Sequence, residues 1–119
     1  MEYYGASANE QEIVSNLLGL PLDAMGQDWE FILSDSKLVA PAIKILLAMD
    51  DSWGVRAAIA CILISSLYEF HRDEVQDHPL REEAISALSK DPTILDAMRS
   101  FWLGDGNKYI CKILSTQLK

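Results

Sequence analysis

The chain has 119 residues, of which 50% are hydrophobic and 24% are charged, the balance of one ordinary globular domain. Eighteen acidic residues against ten Lys and Arg give a net charge of −8, which argues against a nucleic-acid binder or a binder of anionic membranes because phosphate groups would be repelled. We therefore expect a single domain over residues 1–119, with a core that needs no disulfide or metal to hold it.

The first predicted helix begins near Asn9, with Ser7 or Asn9 as its N-cap, because these side chains accept hydrogen bonds from the first free amides. Gly19 and Pro21 end it. Its apolar residues recur at the spacing of a helix that lies on a core, and we expect this stripe to face inward: Ile13, Val14, Leu17 and Leu18.

Two further helices are predicted before the middle of the chain. A short one covers residues 27–33, where Trp29 lies on the apolar side. A longer one begins at Ser36 as N-cap and runs to about Met49, with Pro41 in its early turns, where a missing amide donor costs least. Its expected apolar face is broad: Leu38, Val39, Ala42, Ile43, Leu46 and Leu47.

The most apolar segment is predicted to be the central helix, from Trp53 to about Arg72, capped by the residues Asp50 to Ser52. No charge occurs between Arg56 and Glu69. This uncharged run is too short for a bilayer core, which needs about 20 apolar residues. A helix that is apolar on nearly every side is instead expected at the buried centre of a bundle.

Three more helices are predicted in the C-terminal third, over residues 79–90, 92–103 and 107–118, with Pro79 and Pro92 in the first turns of the first two. Their inward residues repeat at helical spacing: Leu80, Ala84, Ile85 and Leu88; Ile94, Leu95, Met98, Phe101 and Trp102; Ile110, Ile113, Leu114 and Leu118. Since no alternating run predicts a strand pair, the fold class is all-α: a compact bundle of about seven short helices around a central apolar helix.

The segment Asp50–Ala58 resembles the turn and second-helix start of a HEAT-type repeat, in which a turn Asp, a Val-Arg pair and small residues recur. The resemblance covers Ser36 to about Phe70. Residues 79–90 and 92–103 are a candidate second hairpin, although they lack the Val-Arg pair and solenoids usually need about three repeats. The resemblance implies a protein-binding scaffold and no chemistry.

The two cysteines, Cys61 and Cys111, are fifty residues apart, and Cys61 lies in the apolar run. We interpret them as reduced structural thiols rather than a disulfide or redox pair. The N-terminus carries acids where a secretory signal needs basic residues. The predicted location is the cytoplasm.

The densest polar cluster follows the central helix and could supply metal ligands: Glu69, His71, Asp73, Glu74, Asp77 and His78. A metal site needs three or four converging ligands, whereas His71 and His78 are seven residues apart and Pro79 follows. We therefore interpret the cluster as a solvated helix end, and we predict no metal and no cofactor.

Catalytic motifs are not apparent. The glycines form no phosphate loop, and no nucleophile lies beside a base that a third group orients. The paired acids Asp50-Asp51 and Glu82-Glu83 lie at helix starts, where acids normally interact with the helix dipole. The prediction is that the protein is not an enzyme.

The charge is unevenly distributed. Residues 1–36 contain seven acids and neither Lys nor Arg. Such a surface either keeps the protein soluble or forms a docking face for a basic protein, with aromatic side chains as anchors. The candidate partner-binding residues are Glu10, Glu12, Asp23, Asp28, Trp29, Glu30, Asp35, Asp50, Asp51 and Trp53.

The leading hypothesis is a small acidic protein-binding module, specifically an immunity or antitoxin-type inhibitor that neutralises a toxin or enzyme by direct binding. A strongly charged face speeds association with a basic target. The first alternative is a structural subunit or homo-oligomeric adaptor, such as a homodimer in which a second copy covers the apolar helix. The other alternative is a metal-dependent enzyme that uses the cluster around His71 and His78.

Overall fold

The computed structural model describes residues 7–19, 36–48, 52–102 and 108–115. Within these ranges the chain forms six α-helices and a 3-10 turn, and no strand, which confirms the all-α prediction. The helix predicted over residues 27–33 lies outside the described residues. The helices are α1 (Ala8–Leu18), α2 (Val39–Ala48), α3 (Trp53–Glu74), α4 (Arg81–Ser89), α5 (Pro92–Trp102) and α6 (Lys108–Ser115), and the 3-10 turn Ser36–Leu38 leads into α2.

Side-chain caps fix the starts of three helices. Ser7 is the N-cap of α1 and forms a capping box with Glu10, so it is Ser7 rather than Asn9 that begins this helix. Ser52 accepts a hydrogen bond from the Val55 amide at the start of α3, as predicted. Asp91 accepts hydrogen bonds from the Thr93 and Ile94 amides at the start of α5, and it thereby satisfies two donors that the helix itself leaves free.

The connection between α3 and α4 differs from the prediction at both ends. Helix α3 continues to Glu74, two residues past Arg72, and ends at Val75 in the left-handed conformation. Helix α4 begins at Arg81, so Pro79 lies in the preceding turn and not in the helix. The reason is local: the His78 Nδ1 accepts the Leu80 amide at 3.0 Å, which closes a turn before the helix can start.

Helix α3 is the centre of the fold, as predicted. All eleven residues from Ala57 to Leu67 are buried, including the thiol of Cys61. By length and composition the helix could cross a membrane, since an 18-residue window has a mean hydropathy of 1.3. However, 67% of that window is buried inside the fold, which is the environment of a core helix in a globular protein.

The helices form two stacked hairpins flanked by α1 and α6. Helix α2 packs on α3, and α4 packs on α5, while α2 also contacts α4 and α3 contacts α5. Helix α1 covers α3 on one side, and α6 packs on α5 and α3. The Cα radius of gyration is 12.9 Å, close to the value of about 13 Å expected of a compact chain of this length.

Within the described ranges most predicted core faces are buried, with two exceptions, while the predicted inward residue Leu118 lies outside these ranges. Leu17 on α1 and Leu47 on α2 are 42% and 45% exposed, respectively, although both were expected to face inward. On α1 the buried positions are Gln11, Val14 and Ser15, and Leu17 lies about 100° around the helix from its neighbour Leu18, which packs on the core. Two of the buried positions are polar, and hydrophobicity identified three of the four core-facing residues predicted on α1 and misplaced only Leu17.

Candidate functional site

Three of the ten predicted partner-binding residues lie in the described part of the chain: Glu10, Glu12 and Trp53. The Glu10 carboxylate lies against Gly54, the neighbour of Trp53, where α1 packs against the start of α3. The remaining predicted residues lie outside the described residues: Asp23, Asp28, Trp29, Glu30, Asp35, Asp50 and Asp51.

Glu10 has a structural role that the sequence analysis did not assign to it. Its Oε1 accepts the Ser7 amide at 2.9 Å, while the Ser7 hydroxyl accepts the Glu10 amide at 3.2 Å. Its carboxylate also lies against Gly54, where an added Cβ would be only 1.8 Å from Oε2. Glycine at position 54 therefore leaves room for the Glu10 carboxylate beside the first turn of α3. Glu12, two residues further along α1 and therefore about 200° around the helix from Glu10, is exposed.

Trp53 is partly buried at the first position of α3, and a hydrogen bond fixes its ring. The indole Nε1 donates to the Thr93 hydroxyl at 3.1 Å, and that hydroxyl donates to Asp91 at 2.7 Å. Asp91 also forms an ion pair with Arg56. These hydrogen bonds and the ion pair join the start of α3 to the start of α5. The Trp53 side chain is therefore held in one orientation.

The carboxyl of Asp91 is ionised more readily than an ordinary aspartate. Partial burial by itself disfavours the charge, but hydrogen bonds from Thr93, Arg56 and the Ile94 amide outweigh it and lower the pKa of Asp91. Its negative charge is therefore retained in the fold at neutral pH, where it balances the largely buried Arg56 guanidinium.

The predicted histidine cluster is divided by the structure. His78 acts as a turn cap through its Nδ1, and its ring packs edge-on against Phe70 with centroids 4.7 Å apart. His71 instead stacks on Tyr109, with ring centroids 4.0 Å apart and an interplanar angle of 15°. Within the described ranges, no three His, Cys, Asp or Glu side chains converge as metal ligands.

His71 belongs to a polar pocket of about 350 Å³ that α3, the following loop, α4 and α6 build together. Asp77 Oδ1 lies 3.7 Å from His71 Nδ1 and 3.9 Å from Arg81 Nε. Burial and the negative charge of Asp77 raise the pKa of Tyr109, so its phenol stays protonated at neutral pH. The pocket is lined by His71, Asp77, Arg81, Tyr109 and Lys112.

The sequence analysis grouped only two of the five residues that line this pocket. It grouped His71 with Asp77, whereas Arg81, Tyr109 and Lys112 were not connected to them. The one available signal was that Tyr109 and Lys112 are three residues apart and so share a face of α6. Their approach to His71 depends on how α6 packs on α3, which no local pattern specifies.

A second pocket, of about 210 Å³ and almost wholly apolar, lies between α5 and α6. Arg99 crosses from α5 to donate its Nε to the Leu114 carbonyl at 2.8 Å. The exposed thiol of Cys111 and the Trp102 ring contribute to its walls. The two cysteines form no disulfide with each other.

No protein-family model matches this chain, and no curated protein or solved structure is similar to it.

Proposed function

We propose that this chain is a small acidic protein-binding module of the cytoplasm, an immunity or antitoxin-type inhibitor that neutralises a basic toxin or enzyme by direct binding. The observation that carries the proposal is Trp53, an aromatic side chain at the edge of the core that is already oriented by Thr93. An oriented aromatic ring loses little entropy on binding and is a common centre of interface energy.

The charge pattern supports the same proposal. Residues 1–36 contain seven acids and no Lys or Arg, so this part of the chain attracts a basic partner over a distance. Since the Glu10 carboxylate is engaged by Ser7 and packs on Gly54, we assign the steering role to Glu12 and to Asp23, Asp28, Glu30, Asp35, Asp50 and Asp51.

The arrangement of the hairpins favours a HEAT-like scaffold for this role. In stacked helical hairpins, equivalent helices pack on each other, as α2 does on α4 and α3 on α5. The ion pair between Arg56 and Asp91 joins the two hairpins, and Arg56 belongs to the Val-Arg pair of the HEAT-like segment. Such a stack presents its exposed helix faces to a partner without any catalytic group.

The homo-oligomer alternative loses the reason first given for it. Residues 57–67 of the apolar helix are buried by the chain's own α1, α2, α5 and α6, so that helix needs no second copy to cover it.

The test is a quantitative capture of the native partner by wild type and by two charge-reversal variants. Glu12→Lys alters the proposed surface, and Glu74→Lys is the matched control, since both residues are exposed and both changes raise the net charge equally. Each capture is made at about 0.1 M and about 1 M salt, where the Debye length is about 10 Å and about 3 Å, respectively. Isolated complexes are then used to measure association rates and the partner's activity.

The proposal expects one basic partner in a 1:1 complex that inhibits that partner's activity. Glu12→Lys and a double variant, Asp28→Lys with Glu30→Lys, should slow association at low salt, whereas Glu74→Lys should not. Equal association rates for all variants, or a partner that remains fully active in the complex, would contradict it.

A further inference from the structure

The ring of Trp53 is oriented by a residue of another helix. Its indole Nε1 donates to the Thr93 hydroxyl at 3.1 Å, a contact between residues forty positions apart that joins the first residue of α3 to the second residue of α5. The indole is only partly buried, and this hydrogen bond is exposed to solvent. Water can satisfy the same N–H group, so the bond adds little net stability. Its main effect is to fix the direction of the ring.

The direction of the Thr93 hydroxyl is itself fixed by Asp91. The hydroxyl donates its one proton to Asp91 Oδ1 at 2.7 Å, because an ionised carboxylate can only accept. The Thr93 oxygen therefore acts as an acceptor toward Trp53, whose indole nitrogen can only donate. The Thr93 amide donates to the same Asp91 oxygen at 3.2 Å. Donor and acceptor cannot exchange roles at either of the two side-chain hydrogen bonds.

Asp91 is in turn held from both helices. It forms an ion pair with Arg56, which lies three residues after Trp53 on α3, and both side chains of the pair are largely buried. It also accepts the Ile94 amide at the start of α5. The acceptor that orients Thr93 is therefore a fixed point of the fold and not a mobile surface carboxylate.

The orientation of Trp53 affects binding only if the proposed function is right, because that function makes this ring an anchor in the interface. A side chain that becomes immobilised on binding loses rotamer freedom, which weakens the dissociation constant by a factor of about two to ten. A ring that is already ordered in the free protein avoids most of this loss. Thr93 is exposed and uncharged, so neither the core nor the acidic steering depends on its side chain.

We propose that Thr93 is a positioning residue for partner binding: supported by Asp91, its hydroxyl holds the Trp53 ring in the orientation in which a partner receives it. The recognition surface then includes the start of α5 as well as the start of α3. Thr93 was not among the residues predicted to bind a partner, since its proximity to Trp53 depends on the packing of α5 on α3.

The first test uses the free protein. The chain has three tryptophans, so Trp53→Phe assigns the Trp53 indole signal in the NMR spectrum by its disappearance. The order parameter of the Trp53 Nε1–H group should be about 0.85 in wild type, the value of a rigid backbone, and should fall below about 0.6 in Thr93→Val. Thr93→Ser keeps the hydroxyl and should retain the wild-type value. Ser100→Ala, which removes an exposed hydroxyl from the same helix, should change nothing.

The second test uses the partner captured at about 0.1 M salt. Thr93→Val should raise the dissociation constant by about two- to tenfold, mostly through a faster dissociation rate because no charge changes. The same substitution in a Trp53→Phe background should have no further effect, since phenylalanine has no N–H group for Thr93 to accept. Thr93→Ser should bind as wild type does. A general loss of stability would not depend on Trp53 in this way.

The outcomes separate this role from the proposed function. An unchanged order parameter at Trp53 in Thr93→Val overturns the positioning role and leaves the inhibitor proposal intact. Equal effects of Thr93→Val on affinity in the wild-type and Trp53→Phe backgrounds also overturn it, as does unchanged affinity while Glu12→Lys still slows association. Failure to capture any partner overturns the proposed function, and with it the role of Thr93 in recognition. Thr93→Ala removes the same hydroxyl and replaces Thr93→Val if that variant does not fold.

Discussion

Replacement of Asp91 by alanine should be among the most destabilising single polar substitutions in the described part of the chain. Asp91 caps α5 through the Thr93 and Ile94 amides, and loss of an N-cap costs about 1 kcal/mol. It also pairs with Arg56, and the two side chains are only 15% and 14% exposed. Breaking a fully buried pair costs about 3–5 kcal/mol, whereas an exposed pair is worth less than about 1 kcal/mol.

Because this ion pair is partly buried, we take about 2 kcal/mol for it and about 3 kcal/mol for the whole Asp91→Ala substitution. Asp91→Asn should cost about 1–2 kcal/mol, since asparagine keeps the cap but not the charge. Urea unfolding followed by far-UV circular dichroism measures both values. A cost below about 1 kcal/mol for Asp91→Ala would refute the reasoning, as would additive costs when Arg56→Met is combined with it.

The same residue predicts a pH dependence whose sign follows from its lowered pKa. Folded Asp91 loses its proton more easily than the unfolded residue, which has an ordinary pKa of 3.8. Its contribution to stability is therefore complete above that value and declines as the pH falls below it, through the lower pKa of the folded state. The difference in unfolding free energy between wild type and Asp91→Asn should shrink over that acidic range and stay constant near neutrality.

Two further substitutions test local backbone arguments. Val75→Gly should stabilise the protein by about 0.5–1 kcal/mol, because glycine adopts the left-handed conformation without strain. The exposed valine side chain contributes little packing that would be lost. A lower melting temperature than that of wild type would contradict this prediction. Ser7→Ala should cost about 1 kcal/mol by removing the side-chain half of the capping box on α1, and a urea midpoint equal to that of wild type would show that the cap contributes nothing.

The sequence predicted the helices well where one signal dominated. The run from Ala57 to Leu67 is apolar throughout, so it is buried whatever its rotation. On helix α1 the buried face includes the polar residues Gln11 and Ser15, and the expectation that Leu17 faces inward was wrong. The start of α4 was wrong for a related reason: a side-chain cap by His78 outweighed the preference of Pro79 for a first turn.

The candidate sites were predicted less completely than the helices, because they depend on contacts between helices. Glu10 was grouped with the other acids by charge, but its position between Ser7 and Gly54 follows from the packing of α1 on α3. The polar pocket joins His71 to Tyr109, thirty-eight residues away along the chain. Spacing within one helix can bring residues to one face, but contacts between helices depend on packing that a single sequence does not encode locally.

Helix α3 connects the surface around Trp53 to the pocket around His71 and also keeps them apart. Trp53 is its first residue and His71 lies eighteen positions later, which at the rise of an α-helix is about 27 Å. This separation is nearly three Debye lengths at about 0.1 M salt, so a charge change at one surface hardly alters the potential at the other. Since a packed, buried helix is a rigid connection, binding at one end couples to the other only through a rearrangement of the core.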